Sequence, residues 1–273
     1  MPEGPEIKRA ADKIAAAIVP YRVEEVWFAF DHLKPYEAVL KHKTVIALEP
    51  RGKALLTRFD NGLNIYSHNQ LYGKWVIRTA YSYPQTNRQL RLAIHNAHKS
   101  ALLYSASDIE VIEDDMLAHH PFLHRIGPDV LSDWITPPVI LQRLKDATFH
   151  RRRLTTLLLD QHFLAGLGNY LRSEILFVAR VHPAKRPVDC TPEQLHALAV
   201  AAIAIPTQSY KTGGITNDLG IVAQRKAQGD RRDQYRHWVF SRVGQPCFIC
   251  GSLILKEMAG GRRYYYCPSC QPR

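Results

Sequence analysis

Two cysteine pairs, Cys247-x-x-Cys250 and Cys267-x-x-Cys270, stand sixteen residues apart near the end of this chain and constrain its folding more than any other feature. Each pair fits a tight turn, and four thiolates at this spacing bind Zn²⁺ tetrahedrally. A segment of about fifty residues cannot build much apolar core, so metal binding would supply its folding free energy. The competing reading is a pair of disulfides, which belongs to an oxidising compartment. Four cysteines fill the coordination shell, so one structural zinc is expected and the reaction chemistry must lie elsewhere. Between the pairs, Gly260-Gly261-Arg262-Arg263-Tyr264-Tyr265-Tyr266 reads as a glycine turn entering a strand of a β-hairpin finger. An arginine at such a tip most simply holds phosphate; a solvated loop arginine is the plain alternative. The fifth cysteine, Cys190, reads as a half-buried thiol.

Charge narrows the partner. The 273 residues carry 36 Lys and Arg against 25 Asp and Glu, a net +11. Residues 225–273 hold ten of the basic groups and three of the acidic ones. A balance this basic favours a polyanion, nucleic acid before an acidic membrane surface. No apolar run approaches the ~18 residues of a membrane span. The first residues lack the basic and apolar regions of a signal peptide. A soluble, intracellular, cytoplasmic protein is therefore expected.

The chain opens Met1-Pro2-Glu3-Gly4-Pro5-Glu6-Ile7. Initiator methionine is usually removed before a small residue such as proline, which leaves Pro2 as a terminal secondary amine beside a carboxylate. An α-amino group titrates near ~8, so part of it is unprotonated at neutral pH. Such an amine attacks an aldehyde or acetal carbon to form a Schiff base, and Glu3 can supply the proton for ring opening. The same residues also make an ordinary helix start, with proline in the first turn and acids against the positive helix end.

Ile7, Ala10, Ala11, Ile14 and Ile18 lie on one face of an amphipathic helix. After Tyr21, short segments read as strands: Val23–Phe30, Thr44–Leu48, Ala54–Phe59, Leu63–Ser67, Lys74–Thr79, Gln89–His95 and Ser100–Ser105. Many short strands with turn punctuation predict a sandwich or barrel. Residues 1–120 therefore form a helix plus β-rich domain, and 121–133 a linker. Residues 134–236 are helical, with helices at Pro137–Ala147, Leu154–Phe163 and Tyr170–Ala179. A capping box at Thr191-Pro192-Glu193-Gln194 opens another helix to about Ala204, and 211–236 reads as a long mobile loop. Residues 237–273 form the finger, and the fold class is α+β.

Three further stretches invite chemistry. Ala165-Gly166-Leu167-Gly168-Asn169 is a glycine-rich reversal whose following helix offers free N–H groups to an anion; a tight structural turn explains it equally well. Lys53, in Arg51-Gly52-Lys53, is either an idle exposed lysine or a functional one. Tyr66-Ser67-His68-Asn69-Gln70-Leu71-Tyr72-Gly73 fits a loop tip presenting an apolar wedge to stacked bases, or half-buried core. His68 alone reads as a satisfied histidine.

Pro-Glu-Gly-Pro-Glu at the start, Arg-Gly-Lys at 51–53, Gly-Leu-Gly-Asn-Tyr at 166–170 and the four-cysteine finger together resemble the Fpg/Nei family of DNA glycosylases, from end to end. Tyr-Ser-His-Asn-Gln-Leu-Tyr-Gly at 66–73 and Ser105-Ala106-Ser107-Asp108 look like the endonuclease VIII branch. The resemblance implies an N-terminal helix with a β-sandwich, then a helix–two-turns–helix domain with a zinc finger, with DNA in the cleft between them. It implies that Pro2 is the Schiff-base nucleophile at the sugar C1′ and Glu3 the proton donor. Lys53 would assist β-elimination, and Arg262 would assist δ-elimination and hold phosphate. Gln70, Leu71 and Tyr72 would fill the gap left by the extruded nucleotide, while Arg125 and Asn169 bind the DNA backbone. The implied partner is double-stranded DNA containing an oxidised base or abasic site, and the implied state is a monomer.

Residue-level chemistry agrees with this. A damaged base must leave the stack to be reached, and an amine of modest pKa then captures the sugar; this needs no cofactor. The likeness of residues 66–73 to the endonuclease VIII branch implies oxidised pyrimidines as substrate. The rivals are a purine-directed glycosylase of the same family and a non-catalytic DNA-binding protein. Arg263, next to the family arginine, is a candidate substitute for it.

Overall fold

The chain enters a helix at once: α1 (Gly4–Ile18), with Ile7, Ala11, Ile14, Ala17 and Ile18 buried along one face. A computed structural model describes residues 2–273, which divide into two units, the first closing at Arg125.

In the first unit, β1 (Glu25–Phe28) and a short helix α2 (Pro35–Leu40) precede β2 (Val45–Arg51), β3 (Ala54–Phe59) and β4 (Leu63–His68). Then come β5 (Lys74–Thr79), β6 (Leu90–His95), β7 (Lys99–Tyr104) and β8 (Asp108–Glu113). All pairings are antiparallel, in two four-stranded sheets ordered β1-β6-β7-β5 and β2-β3-β4-β8. Strand alternation explains the layering. Leu55 and Phe59 of β3 join Val26, Phe28, Leu92, Leu103 and the α1 face in one core shared by both sheets. Ala54 and Leu56 point the other way, where Tyr66 and Ile112 are covered by Leu117, Phe122 and Leu123. All seven expected strands form, and β8 is an eighth. Its sequence, Asp-Ile-Glu-Val-Ile-Glu, alternates imperfectly and buries Ile109 and Ile112.

The second unit contains α3 (Pro137–Lys145), α4 (Leu154–Leu157), α5 (Asn169–Val178) and α6 (Pro192–Lys211). They are followed by α7 (Leu219–Ala227), α8 (Arg232–Tyr235) and a hairpin of β9 (Leu255–Ala259) and β10 (Arg262–Tyr266). Ile140 and Leu144 of α3 pack with Leu171, Ile175 and Leu176 of α5 and with Leu198, Ala199, Ala202 and Ile205 of α6.

Three expectations need correction here. The helix expected over Leu154–Phe163 stops after Leu157, because the Asp160 carboxylate takes the His162 amide at 2.9 Å in a side-chain-closed turn. Helix α6 runs past Ala204 to Lys211 although Pro206 donates no backbone hydrogen bond, because Ile205 and Pro206 are buried against the core. Segment 211–236 is not a structureless loop. Asp218 caps α7 by accepting the Gly220 and Ile221 amides, Asn217 Nδ2 donates to the Tyr235 carbonyl at 2.8 Å, and Ile215, Val222 and Tyr235 form a small core.

Candidate active site and metal centre

In the first unit, Glu3 is the N-cap of α1 and Pro5 lies in its first turn. The Glu3 amide donates to Glu6 Oε2 at 3.1 Å, and Arg9 Nη2 donates to Glu6 Oε1 at 2.6 Å. Glu6 thus holds the helix start in place, while Pro2 stands half-buried just ahead of it. The Glu3 side chain is only 4 % exposed. Helix α1 packs on β2 and β3. The turn joining those strands is Gly52-Lys53, with Arg51 paired to Ala54 and Gly52 at φ 63, as a two-residue hairpin turn with glycine first requires. A lysine in such a turn is ordinarily solvated, yet Lys53 is 7 % exposed. Burying a carboxylate and an ammonium is costly unless they are paired or used.

β4 leads out of this region. His68 pairs with Ala54 on one side and Asp108 on the other. Burial first, then the Lys53 charge, holds the His68 imidazole below its usual value against the pull of Asp108. Burial likewise raises the Asp108 carboxyl above the ordinary range. Beyond His68 the chain makes a closed loop, with the Gly73 amide donating to the Asn69 carbonyl at 2.7 Å. A Cβ on Gly73 would lie 2.5 Å from that carbonyl oxygen, so glycine is required. Arg88 Nη1 donates to the Tyr72 carbonyl at 2.7 Å, and Ser107 Oγ donates to Gln70 Oε1 at 2.8 Å. Pinned this way, the loop exposes Leu71 to 52 % and Tyr72 to 67 %. Arg125 is exposed, its Nε donating to the Pro121 carbonyl at 3.0 Å.

In the second unit, Asn169 is the first residue of α5, after the Gly168 cap, and is half-buried. The same helix organises the finger. Buried Arg172 donates to the Thr155 carbonyl at 2.6 Å and to the Arg263 carbonyl at 2.7 Å. The Tyr265 amide donates to Ser173 Oγ at 3.2 Å. Glu174 accepts the amides of Trp238, Val239 and Phe240 and the Thr216 hydroxyl. Three consecutive residues of α5 therefore tie the hairpin and its approach to the helical core. Sequence reading missed all three, because a charged run within an apolar helix looks like its solvated side.

Arg262 pairs with Ala259 across the two-residue Gly260-Gly261 turn. Strand alternation sends Arg262 and Arg263 to opposite faces of the hairpin. On the Arg262 face, Tyr264 and Tyr266 donate to the two oxygens of Glu257 at 2.5 and 2.6 Å. Hydroxyls of this kind hold their protons, and Tyr266 is pushed up to about 12 by burial and by Glu257. The sulfurs of Cys247, Cys250, Cys267 and Cys270 all lie within 4.8 Å of one another. Cys250 and Cys267 are 3.4 Å apart, and Cys247 and Cys270 3.9 Å. A Zn–S bond of about 2.3 Å places tetrahedral sulfurs about 3.8 Å apart, so the cluster fits a metal ion and no disulfide forms in it. Gln271 supports the cluster, accepting the Cys267 amide at 3.0 Å and donating to the Val181 carbonyl at 2.9 Å. Cys190 is half-buried, and burial pushes its thiol up to about 11, an inert group.

The model of the formamidopyrimidine-DNA glycosylase N-terminal domain matches residues 1–107, and that of the formamidopyrimidine-DNA glycosylase H2TH domain matches residues 126–219. Endonuclease 8 of Escherichia coli (strain K12 / DH10B) is 49 % identical over 271 residues, covering 99 % of this chain and all of that protein. Endonuclease 8 of Salmonella arizonae is 48 % identical over the same length and coverage. Among solved structures, Lactococcus lactis formamidopyrimidine-DNA glycosylase non-covalently bound to AP-site DNA superposes with a TM-score of 0.80 at 21 % identity, over 99 % of this chain and all of that one. MutM in complex with carbocyclic 8-oxo-G DNA gives 0.82 at 21 % identity with both chains fully covered. Its N-terminal helix and β-sandwich, helical second unit and four-cysteine cluster agree with these matches, and the chain belongs to the Fpg/Nei family of DNA glycosylases and AP lyases of base excision repair.

Proposed function

We propose that this glycosylase removes oxidised pyrimidines from double-stranded DNA through a Schiff base on Pro2, then nicks the strand by β,δ-elimination. The observation that carries the reading is the pair of buried ionisable groups, Glu3 at the head of α1 and Lys53 in the β2–β3 turn. Both positions would ordinarily be exposed, and Pro2, which removal of Met1 would leave as a terminal amine, stands immediately before Glu3 in the sequence.

In this mechanism the Pro2 nitrogen attacks C1′ as the C1′–N bond breaks, and the base leaves with its electron pair. Glu3 protonates the sugar ring oxygen, so the ring opens to an iminium. The iminium acidifies the C2′ proton; its loss, assisted by Lys53, expels the 3′ phosphate. A second elimination, assisted by Arg262, expels the 5′ phosphate, and water returns Pro2 to the free amine. Gln70, Leu71 and Tyr72 fill the vacated gap, which suits the exposed apolar tip of a loop pinned at its base. Arg125 and Asn169 take phosphates, Asn169 with the free N–H groups at the start of α5. A Zn²⁺ ion held by Cys247, Cys250, Cys267 and Cys270 would supply folding free energy to the finger. The enzyme acts as a cytoplasmic monomer, and no helix among the described residues is long and apolar enough to cross a membrane.

The likeness of residues 66–73 to the endonuclease VIII branch favours pyrimidine over purine lesions, and the 49 % full-length identity to proteins named Endonuclease 8 is consistent with that branch. Borohydride trapping on a duplex with a single oxidised pyrimidine, with the adduct mapped by mass spectrometry, tests both halves of the reading. An adduct on Pro2 is expected. Trapping with 8-oxoguanine alone would transfer the assignment to purines, and an adduct on any lysine would overturn the Pro2 mechanism.

A further inference from the structure

We propose that His68 is a positioning residue whose neutral imidazole accepts the Gln70 amide, sets the turn that presents Gln70, Leu71 and Tyr72, and releases it on protonation. The inference rests on residues 70–72 being the gap-filling segment.

Gln70 has φ 49, a left-handed conformation that costs a side-chain-bearing residue free energy and persists only where the surroundings enforce it. Its amide donates to His68 Nδ1 at 3.0 Å. This is the geometry of a turn closed by aspartate or asparagine, in which a side-chain acceptor takes the amide two residues on. The same chain uses it at Asp129, which accepts the Leu131 amide at 2.8 Å, and at Asp146, which accepts the Thr148 amide at 2.8 Å. Imidazole does the same work at His120 and His182, toward Phe122 and Ala184. His68 is the one of these histidines whose turn leads directly into the exposed apolar tip.

The other ties on the tip, from Arg88, Ser107 and Asn69, involve no group that titrates between about pH 5 and 8. His68 does, and charged neighbours surround it. Lys53 lies on the β2–β3 turn, Asp108 stands opposite on β8, and the Phe122 ring meets its edge at 5.9 Å. Asp108 is itself influenced by Glu110 and His120. Burial and Lys53 outweigh Asp108 and keep the imidazole neutral at pH 7. With Nδ1 accepting, the ring proton sits on Nε2. A second proton on Nδ1 would face the Gln70 N–H donor to donor, and the turn would open. Because the imidazole is held below its ordinary value, the closed turn is complete above about pH 6.5 and is lost as pH falls below it.

The test uses the full-length protein and a duplex in which a tetrahydrofuran abasic analogue lies opposite 2-aminopurine, whose fluorescence reports gap filling. The wild-type signal is expected to fall below pH 6.5, while long-range ¹⁵N NMR shows His68 Nδ1 gaining its proton over the same range. His68→Asn, whose Oδ1 can close the same turn without titrating, should keep the signal and flatten the acid loss. His68→Ala should bind the analogue about tenfold more weakly than wild type above about pH 6.5, the difference narrowing as pH falls and the wild-type turn opens, with an unchanged melting temperature. A His68→Ala protein that matches wild type in signal and Kd, or a folded His68→Asn protein that fails to rescue, would overturn the proposal. Leu71→Ala and Tyr72→Ala separate it from the reading beneath it. If they leave the signal intact, the gap-filling assignment fails; if they abolish it while His68→Ala does not, only the role of His68 fails.

Discussion

At the scale of single residues, burial separates two of the proposed catalytic groups from one of the proposed phosphate ligands. Glu3 and Lys53 are enclosed, whereas Arg125 is exposed. Replacing Glu3 with glutamine removes the proposed proton donor without changing shape. Excision of an oxidised base should fall by about 10²–10⁴, while borohydride trapping at a preformed abasic site should fall less; single-turnover assays on the two substrates measure the difference. Arg125→Ala should weaken binding to lesion-bearing and undamaged duplex alike and lower the slope of log K against log salt by about 1, because one phosphate contact is lost. Asn169→Ala, which removes no charge, should weaken binding with the slope unchanged. Titrations at several salt concentrations distinguish the two.

At the scale of elements, the β9–β10 hairpin shows why neighbouring arginines are not equivalent. Arg262 and Arg263 leave β10 on opposite faces, and α5 holds Arg263 through its backbone carbonyl, not its guanidinium. Arg263→Ala should therefore leave the nicking pattern unchanged, while Arg262→Ala should accumulate β-elimination product at the expense of δ-product, as resolved on denaturing gels. The Gly260-Gly261 turn and tyrosine run announced the hairpin in the sequence; Arg172, Ser173 and Glu174, which anchor it, did not announce themselves. A related network carries a pH dependence. His237 Nδ1 lies 2.8 Å from Thr216 Oγ1, whose hydroxyl donates to Glu174. Burial first, then Arg236, Arg232 and Arg242, lowers the His237 imidazole to about 3. Its folded value lies below the unfolded one, so the contribution to stability is present above about pH 6.5 and is lost as pH falls toward 3. The loss amounts to about 1.4 kcal/mol per pH unit. Urea unfolding at pH 7 and 5.5 should show this slope in the wild type and a flatter one in His237→Asn.

At the scale of the whole molecule, each unit carries its own core, and only the second contains the four-cysteine cluster. Chelation of the metal that the cluster is proposed to hold should raise hydrogen exchange through residues 237–273 and leave β1 to β8 protected, which exchange mass spectrometry on the full-length protein would detect. The periodicity of α1, the seven short apolar strands with their turn punctuation and the cysteine spacing were legible because each is a local pattern, set by a helical turn, a short extended run or the tight turns that pair thiolates. Motif order along the chain carried the family. Other features depended on contacts between residues far apart. The 211–236 segment reads as a loop because its own composition is polar and glycine-rich, yet it is ordered by Asp218, Asn217 and a core made only when Tyr235 meets Ile215 and Val222. Pro206 continues a helix because packing compensates for one missing hydrogen bond. The burial of Lys53, the turn set by His68 and the carbonyl grip of Arg172 were likewise decided by tertiary structure. Sequence determines which groups are present and their local periodicity; only the folded chain decides which of them lose water, and loss of water is what changes a charge's energy, a proton's affinity and a side chain's role.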